Sequence, residues 1–517
     1  MSITRSGVPR RRLPGVVVVA GLLVGSACGS TLPRRSATGS LQSGSLGQGQ
    51  GQDLGQPGTT AAGTIGDATS ANNGTSGQAT LPGAASTGGQ APSGPQPIAT
   101  APPTPGTAEV PGVTATHISI GLEYTSASQN TPGVSGNSAL DAQAAEKILV
   151  NYLNAHGGVG GRQLSPVYYV SDPNSSASGP QQEQAECATF TQDHHVFAAL
   201  TLLGGNNLDS CLDQRHVGHI GGVAEAELDA AGFAAHPHFI QPSTLSLSAM
   251  VQVYVDGLFR QGFFTATSAG QVVRIGVLHY DESRFTDPVE KVMRSALAAH
   301  GLKLSEDIAI STPQSTADAG TVTAQIANAE LKFNSARVTH VLSVDVDGVI
   351  PYYFMRAAQS QGYMPRYGLN SNDAPAVIEI QKGIASQLAG AMAVGWIPQT
   401  DLDPTLAPPD GPSARLCKQI LAAGGMKTFP SQIAVETAMA LCDDFFLFKA
   451  GFEAASALTN VGLVQGVERL GTSYDSAVTG PTRFAPGRHF GAAAYRAIAF
   501  ATSCSCFRYT SGLQPMS

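Results

Sequence analysis

The chain has 517 residues, a formal net charge of −8 and only 13% charged residues. No basic stripe is present, which removes the phosphate-neutralising surface that nucleic-acid binding requires. Beyond the N-terminus no apolar run approaches the ~20 residues of a spanning helix. About 400 residues of foldable sequence are more than one core holds well, so two lobes are expected.

At the N-terminus, Arg5, Arg10, Arg11 and Arg12 precede a short apolar run, Gly15 to Val24, suited to a signal h-region and too short for a membrane anchor. It ends in Gly25-Ser26-Ala27-Cys28, which resembles a bacterial lipobox with Gly25 where Leu is usual. Residues 1–27 are therefore expected to be a lipoprotein signal peptide and Cys28 the lipidated residue. An ordinary secreted protein cut near Ala27 is the alternative. Either way the expected location is extracytoplasmic, with lipid attachment on the outer face of the cytoplasmic membrane. From Ser36 to Thr107 there is no aromatic residue, and Asp53 and Asp67 are the only charges. Such a composition cannot offset its ordering entropy, so residues 28–114 read as a disordered tether with a reach of roughly 50 Å.

From His117 the pattern becomes strand–helix–strand. His117 to Leu122 is a predicted strand, and Asn137 or Ser138 can cap the helix after it, with Asp141 in its first turn. Leu140, Ala144, Ala145, Ile148, Leu149 and Tyr152 form the expected buried face, and Gly157-Gly158 stops that helix. A strand at Val167–Val170, a helix from about Pro180 to Gln192 and a strand at Val196–Leu200 follow. A second series opens with an apolar strand at Val272–Leu278. Asp287-Pro288-Val289-Glu290 reads as a helix start, with Val289, Val292, Met293, Ala296 and Leu297 buried. A helix at Thr321–Phe333, a strand at Val338–Val344, a helix from Pro351 and a strand at Tyr367–Leu369 complete the series. Beyond these come a strand at Ala391–Pro398, helices at about Ser413–Ala423 and Ser431–Ala454, and a last strand near Tyr495–Thr510. Repeated units of this kind predict parallel sheets, one for each series.

Setting Cys28 aside, six cysteines remain. In an exported chain they suggest disulfides, with Cys187–Cys211 and Cys417–Cys442 the expected pairs and buried free thiols the alternative. Cys504 and Cys506 pair only if the strand kinks between them. No nucleophile-elbow, zinc-protease or phosphate-loop pattern occurs, so neither an enzyme nor a cofactor is expected. His194, His195, His216, His219, His236 and His238 cluster in sequence without a recognised ligand spacing, and no metal site is expected.

Asn154-Ala155-His156-Gly157-Gly158-Val159-Gly160-Gly161-Arg162-Gln163-Leu164, followed by Tyr168-Tyr169-Val170-Ser171-Asp172, resembles the first βαβ unit of type I periplasmic binding proteins. The branched-chain amino-acid-binding lipoproteins of ABC importers are the nearest subgroup in appearance. The resemblance extends loosely over residues 115–510. It implies two Rossmann-like α/β lobes joined by three crossovers, near Gln241–Leu245, Met392–Ile397 and Arg483–His489. The lobes would be residues 115–242 plus 395–484, and 243–394 plus 485–510. The implied function is capture of a small solute by hinge closure and delivery to a membrane ABC permease. A ligand-sensing or scavenging lipoprotein of the same fold is the alternative.

Carried over position by position, the ligand-binding residues implied are Tyr124 and Thr125 after the first strand and Gly204, Gly205 and Asn206 after the third. Ala224 and Glu225 follow the fourth, Phe285 opens the second lobe, and Asp345, Asp347, Asn370 and Ser371 lie at its later strand ends. Glu225 stands where the family has a hydroxyl, and Asp373 is displaced from the family's amino-group acid. With Glu225, Asp345 and Asp347 in the cleft and no base expected opposite, the implied solute is neutral polar or cationic: an amide, amine or polyol in preference to a branched-chain amino acid.

Overall fold

In the computed structural model, residues 110–125, 140–172, 175–221, 228–266, 268–313, 316–381 and 383–516 are described. The first series builds a five-stranded sheet from β1 (His117–Thr125), β2 (Gln163–Ser171), β3 (Ala198–Thr201), β4 (Gly218–Gly221) and β5 (Phe239–Ile240). Its order is β2-β1-β3-β4-β5 and every pairing is parallel. The connecting helices are α1 (Ala142–Ala155), α2 (Gly179–Ala188), α3 (Asn206–Gln214) and α4 (Ala230–Ala235). Alternation along the strands sends Ile118, Ile120, Leu122, Ala198 and Leu200 into the main core, whereas Ala199 joins a second core with Phe190, Leu208 and Leu212 under α2 and α3.

The helix α1 is capped by Asp141, whose carboxylate accepts from Ala144 N at 3.0 Å. Asn137 and Ser138, the expected caps, lie outside the described residues. The buried face is Ala142, Ala145, Glu146, Leu149, Val150 and Leu153, turned from the expected one. The cause is a second covering layer: C-terminal helices pack along α1, and Ile148 is spent against Gly424 in that layer.

After β5 the chain crosses to α5 (Leu247–Arg260) and a second sheet. This contains β6 (Ile275–Tyr280), β7 (Leu304–Ile310), β8 (His340–Val344), β9 (Arg366–Asn370) and β10 (Met392–Gly395), with α6 (Ser283–Asp287), α7 (Arg294–Ala299), α8 (Ala319–Ser335), α9 (Val349–Gln361) and α10 (Pro375–Glu379) between them. Val272 is outside β6 and exposed. Asp287 is no cap: its φ of −61° and ψ of −47° are helical, and Ser283 to Ala299 is one helical run with a π-type turn at Pro288–Met293. That looser turn takes in Pro288, which has no N–H to give the ladder.

The chain then returns through α11 (Pro398–Asp401) to α12 (Pro412–Ala423), α13 (Gln432–Ala454) and α14 (Asn460–Leu470), which pack on the first lobe, and a short pair, β11 (Asp475–Ser476) with β12 (Gly480–Pro481). It crosses a third time to β13 (Ala494–Ala501), β14 (Cys506–Tyr509) and β15 (Gln514–Pro515). The expected single last strand is thus a hairpin, and β13 and β14 run antiparallel on the edge of an otherwise parallel sheet, in the order β14-β13-β10-β9-β8-β6-β7. The first and third crossovers lie side by side, joined by Gln241 N to His489 O and Gly491 N to Gln241 O, each 2.8 Å.

Disulfides join Cys187 to Cys211, clasping α2 to α3, and Cys417 to Cys442, clasping α12 to α13. A third joins Cys504 to Cys506 across the β13–β14 turn, where Ser505 at φ +53° supplies the kink. Among the described residues no helix is long and apolar enough to cross a membrane.

Candidate functional site

Parallel strands deliver their C-terminal ends to one rim of each sheet, where open α/β folds bind ligands. On the first lobe that rim holds Glu123, Tyr124 and Thr125 of β1. Tyr124 is half-buried, its hydroxyl accepting from Gln143 Nε2 at 2.7 Å, and its ring meets Tyr168 edge-on at 6.3 Å. Beneath it Glu123 is fully buried and takes Leu202 N (2.8 Å) and Leu203 N (2.6 Å) on one carboxylate oxygen. Burial pushes Glu123 up to about 7, against these bonds. Glu146, one turn into α1, is held well above the usual carboxylate range by burial and then by the charge of Glu123.

The loop Gly204-Gly205-Asn206 leads straight into α3, but the amides there are occupied. Glu183 accepts from Asn207 N (3.0 Å) and Leu208 N (3.2 Å), and a side chain on Gly205 would strike that carboxylate. The helix N-terminus thus binds an anion, and the anion is the protein's own. Ala224 and Glu225 lie outside the described residues.

On the second lobe Phe285 is fully buried, its ring 5.3 Å from Tyr280, and forms core beneath the cleft surface. Asp345 and Asp347 hold the start of α9: Ile350 N bonds Asp345 and Val349 N bonds Asp347, both at 3.0 Å. Asp347 remains open to solvent and also accepts from the Tyr280 hydroxyl at 3.2 Å. Asp345 is fully buried; burial first, then the adjacent Asp373, lift it well above its ordinary value, and burial brings Asp373 up to about 7. A carboxyl pair of this kind holds a proton at neutral pH.

Asn370 and Ser371 are turned away from the cleft. Asn370 caps the turn Ser371–Asp373, with Asp373 accepting from its backbone N at 2.7 Å. Ser371 donates to Asp401 at 2.7 Å and receives Trp396 N and Ile397 N, which fastens the second crossover to β9. Asp443 does the corresponding work at the first crossover, taking Ser243 Oγ at 2.7 Å together with Tyr474, Ser476 and Ala477.

Three residues outside the expected set lie near the rim, Arg284 partly exposed and Asp209 and His219 buried. Arg284, next to Phe285, lays its guanidinium 4.6 Å over that ring, pairs with Glu282 at 2.8 Å and is within electrostatic reach of both Tyr280 and Asp209. Asp209 belongs to α3 of the other lobe, so a base does answer the acidic cleft. Asp209 is buried and pushed up to about 7 by burial, with His236 pulling the other way. His219 spans Thr201 Oγ1 (2.8 Å) and Asp209 Oδ1 (3.1 Å). Hydroxyl, imidazole and carboxylate in that order are the parts of a nucleophilic relay, yet Thr201 is 1% exposed. Among the described residues no group of three or more His, Cys, Asp or Glu is placed to hold a metal ion.

Two facing lobes with polar strand ends and three linked crossovers define a solute-binding architecture, and comparison with known proteins agrees. The family model described as "Periplasmic binding protein" matches residues 118–501. The chain belongs to that family. Its structural neighbours include an ABC transporter substrate-binding protein from Desulfitobacterium hafniense in complex with Leu (16% identity, 76% of this chain and 99% of that one, TM-score 0.51). A branched-chain amino acid ABC transporter protein from Thermus thermophilus with bound valine is another (15%, 77% and 97%, 0.53). So is a solute-binding protein from Rhodopseudomonas palustris HaA2 in complex with p-hydroxybenzoic acid (14%, 78% and 98%, 0.57). At these identities the likeness shows the fold, the type I periplasmic binding fold. No curated protein matches the chain in sequence.

Proposed function

We propose that this periplasmic binding protein is the extracytoplasmic solute-capture component of an ABC importer. It closes about its three crossovers on a small polar solute and presents it to a membrane permease. The supporting observation is Arg284, within electrostatic reach of Tyr280, and Asp347, which accepts from the Tyr280 hydroxyl, with Tyr124 at the strand ends of the other lobe. A cation and an anion on one rim suit a solute bearing both an anionic and an amine or amide group, so an amino-acid-like ligand regains ground that the acidic residues alone would deny it. Residues 1–27 act as the export signal, Cys28 carries the lipid and the tether ends before Val110, because Val110 and Val113 pack on the core and Val113 bridges Ile118.

The test is a melting screen with leucine, valine, 4-hydroxybenzoate, simple amines, amides and polyols. A true ligand at 100 times its Kd adds about 2.7 kcal/mol. The shift should disappear in Arg284→Ala for solutes with a carboxylate and in Asp347→Asn for those with an amine. An unchanged shift in both variants rejects this site.

A further inference from the structure

We propose that Cys504 and Cys506 form a thiol–disulfide exchange site, in which Cys504 engages a partner thiol and Cys506 resolves the mixed disulfide. The pair closes the β13–β14 turn, at the opposite end of β13 from the third crossover and away from the cleft rim.

Several features distinguish this bridge from the other two. Cys187, Cys417 and Cys442 are fully buried and Cys211 is partly buried, whereas Cys504 is exposed at the hairpin tip and Cys506 behind it is 8% exposed. The other bridges close sequence separations of 24 and 25; this one closes a separation of 2. The chain-entropy advantage of a cross-link is smallest for the shortest loop, so least opposes opening here. Closure also accompanies a serine at φ +53°, a left-handed conformation that L-residues adopt at a cost. Finally, Arg508, opposite Ala499 in the hairpin, directs its Nε to Cys504 Sγ at 3.4 Å. A guanidinium there stabilises the Cys504 thiolate once the bridge is open, raising its thiolate fraction near neutral pH. The asymmetry of an exposed, cation-supported sulfur beside a covered one separates an attacking thiol from a resolving thiol.

The co-reactant is a dithiol. Its thiolate attacks Cys504 Sγ; the Cys504–Cys506 bond breaks and Cys506 leaves as a thiolate that takes up a proton. The second thiol of the co-reactant then attacks its own sulfur in the mixed disulfide, and Cys504 leaves. Two electrons and two protons pass to the protein, and the co-reactant departs as a disulfide. The reverse sequence, beginning with the Cys504 thiolate, oxidises the site.

To test this, the oxidised full chain is incubated natively with graded dithiothreitol, alkylated and peptide-mapped. Cys504 and Cys506 should become labelled at reductant concentrations that leave the other four cysteines protected. With oxidised glutathione, Cys506→Ser should retain a stable mixed disulfide on Cys504 with release of one reduced glutathione, whereas Cys504→Ser should trap far less on Cys506. In the Cys506→Ser background, Arg508→Ala should move the midpoint of Cys504 alkylation to higher pH. Simultaneous opening of all three bridges overturns the proposal, as do equal trapping on either cysteine and an unmoved midpoint. Should a variant fail to fold, the order of opening in the unmodified chain decides alone.

Discussion

Asp401 is the most informative single residue to change. It is fully buried at the second crossover, accepts from Ser371 Oγ at 2.7 Å and from the Tyr509 hydroxyl at 2.9 Å, and so fastens α11 to two strands of the second sheet. Burial outweighs these bonds and pushes its carboxyl from 3.8 up to about 7. A folded-state value above the unfolded one means that the folded protein holds the proton more tightly. Stability from this group is therefore fullest below the unfolded value and is lost as pH rises through about 7. Integrating the linkage between pH 5 and pH 8 gives a loss of about 2.5 kcal/mol from Asp401 alone. Asp401→Asn keeps both bonds, because the amide oxygen still accepts from Ser371 and the amide N–H meets Tyr509 with its hydroxyl turned. Urea unfolding of both proteins at pH 5 and pH 8 measures the difference. Glu123, Asp209 and Asp373 titrate in the same direction in both proteins and cancel in the comparison, and Glu436, raised in part by the charge of Asp401, is replaced by Gln in both backgrounds. The protein that keeps Asp401 should lose about 2.5 kcal/mol more than the variant over that interval. Equal losses would refute the reasoning.

Phe285→Ala removes a fully buried ring from beneath Tyr280 and should destabilise the fold by about 3–5 kcal/mol in denaturant unfolding; ligand binding lost at unchanged stability would move Phe285 back to the cleft. Replacing Cys187 and Cys211 together by serine opens a loop of separation 24 and should cost about 3–4 kcal/mol, measured as a lower urea midpoint. Full-length protein expressed in a bacterial host with a fatty-acid analogue should carry label, and Cys28→Ala should not; equal labelling rejects lipidation at Cys28.

The strands and most helices were legible because both sheets are covered on two faces. Runs such as Ile275–Tyr280 and His340–Val344 are wholly buried and show as mostly apolar sequence, broken by His279, His340 and Ser343. Errors came where a third layer or a local bond competes with periodicity. The stripe of α1 is set by the helices packed along it as well as by the sheet, and Asp287-Pro288 looks like a helix start although a π-type turn carries the helix through it. The expected single last strand is a hairpin that the sequence hides, because nothing in its alternation marks the turn that Cys504-Ser505-Cys506 enforces. The site was harder to read. Strand ends are identifiable, but which way each side chain turns is decided by bonds across large separations: Ser371 to Asp401, Glu183 to the amides of α3. Arg284 carries no sequence signal of its own beside Phe285. Its significance comes from Asp209, 75 positions away in sequence and on the other lobe.

The interleaved chain path also constrains the order of assembly. In the second sheet β10 lies against β13, yet α11 to α14 intervene between them and most of those helices pack on the first lobe. A chain that is threaded outward from its N-terminus completes the first lobe only after α14 and the second only when its final segment arrives. Until then Met392–Gly395 presents an unpaired backbone edge, a template for the wrong partner. Pairing across so large a separation is intrinsically slow. A chain stalled or clipped before residue 494 should therefore be prone to self-association through that edge, so the stretch ending at Pro515 is where export and proteolysis would compete most directly with folding.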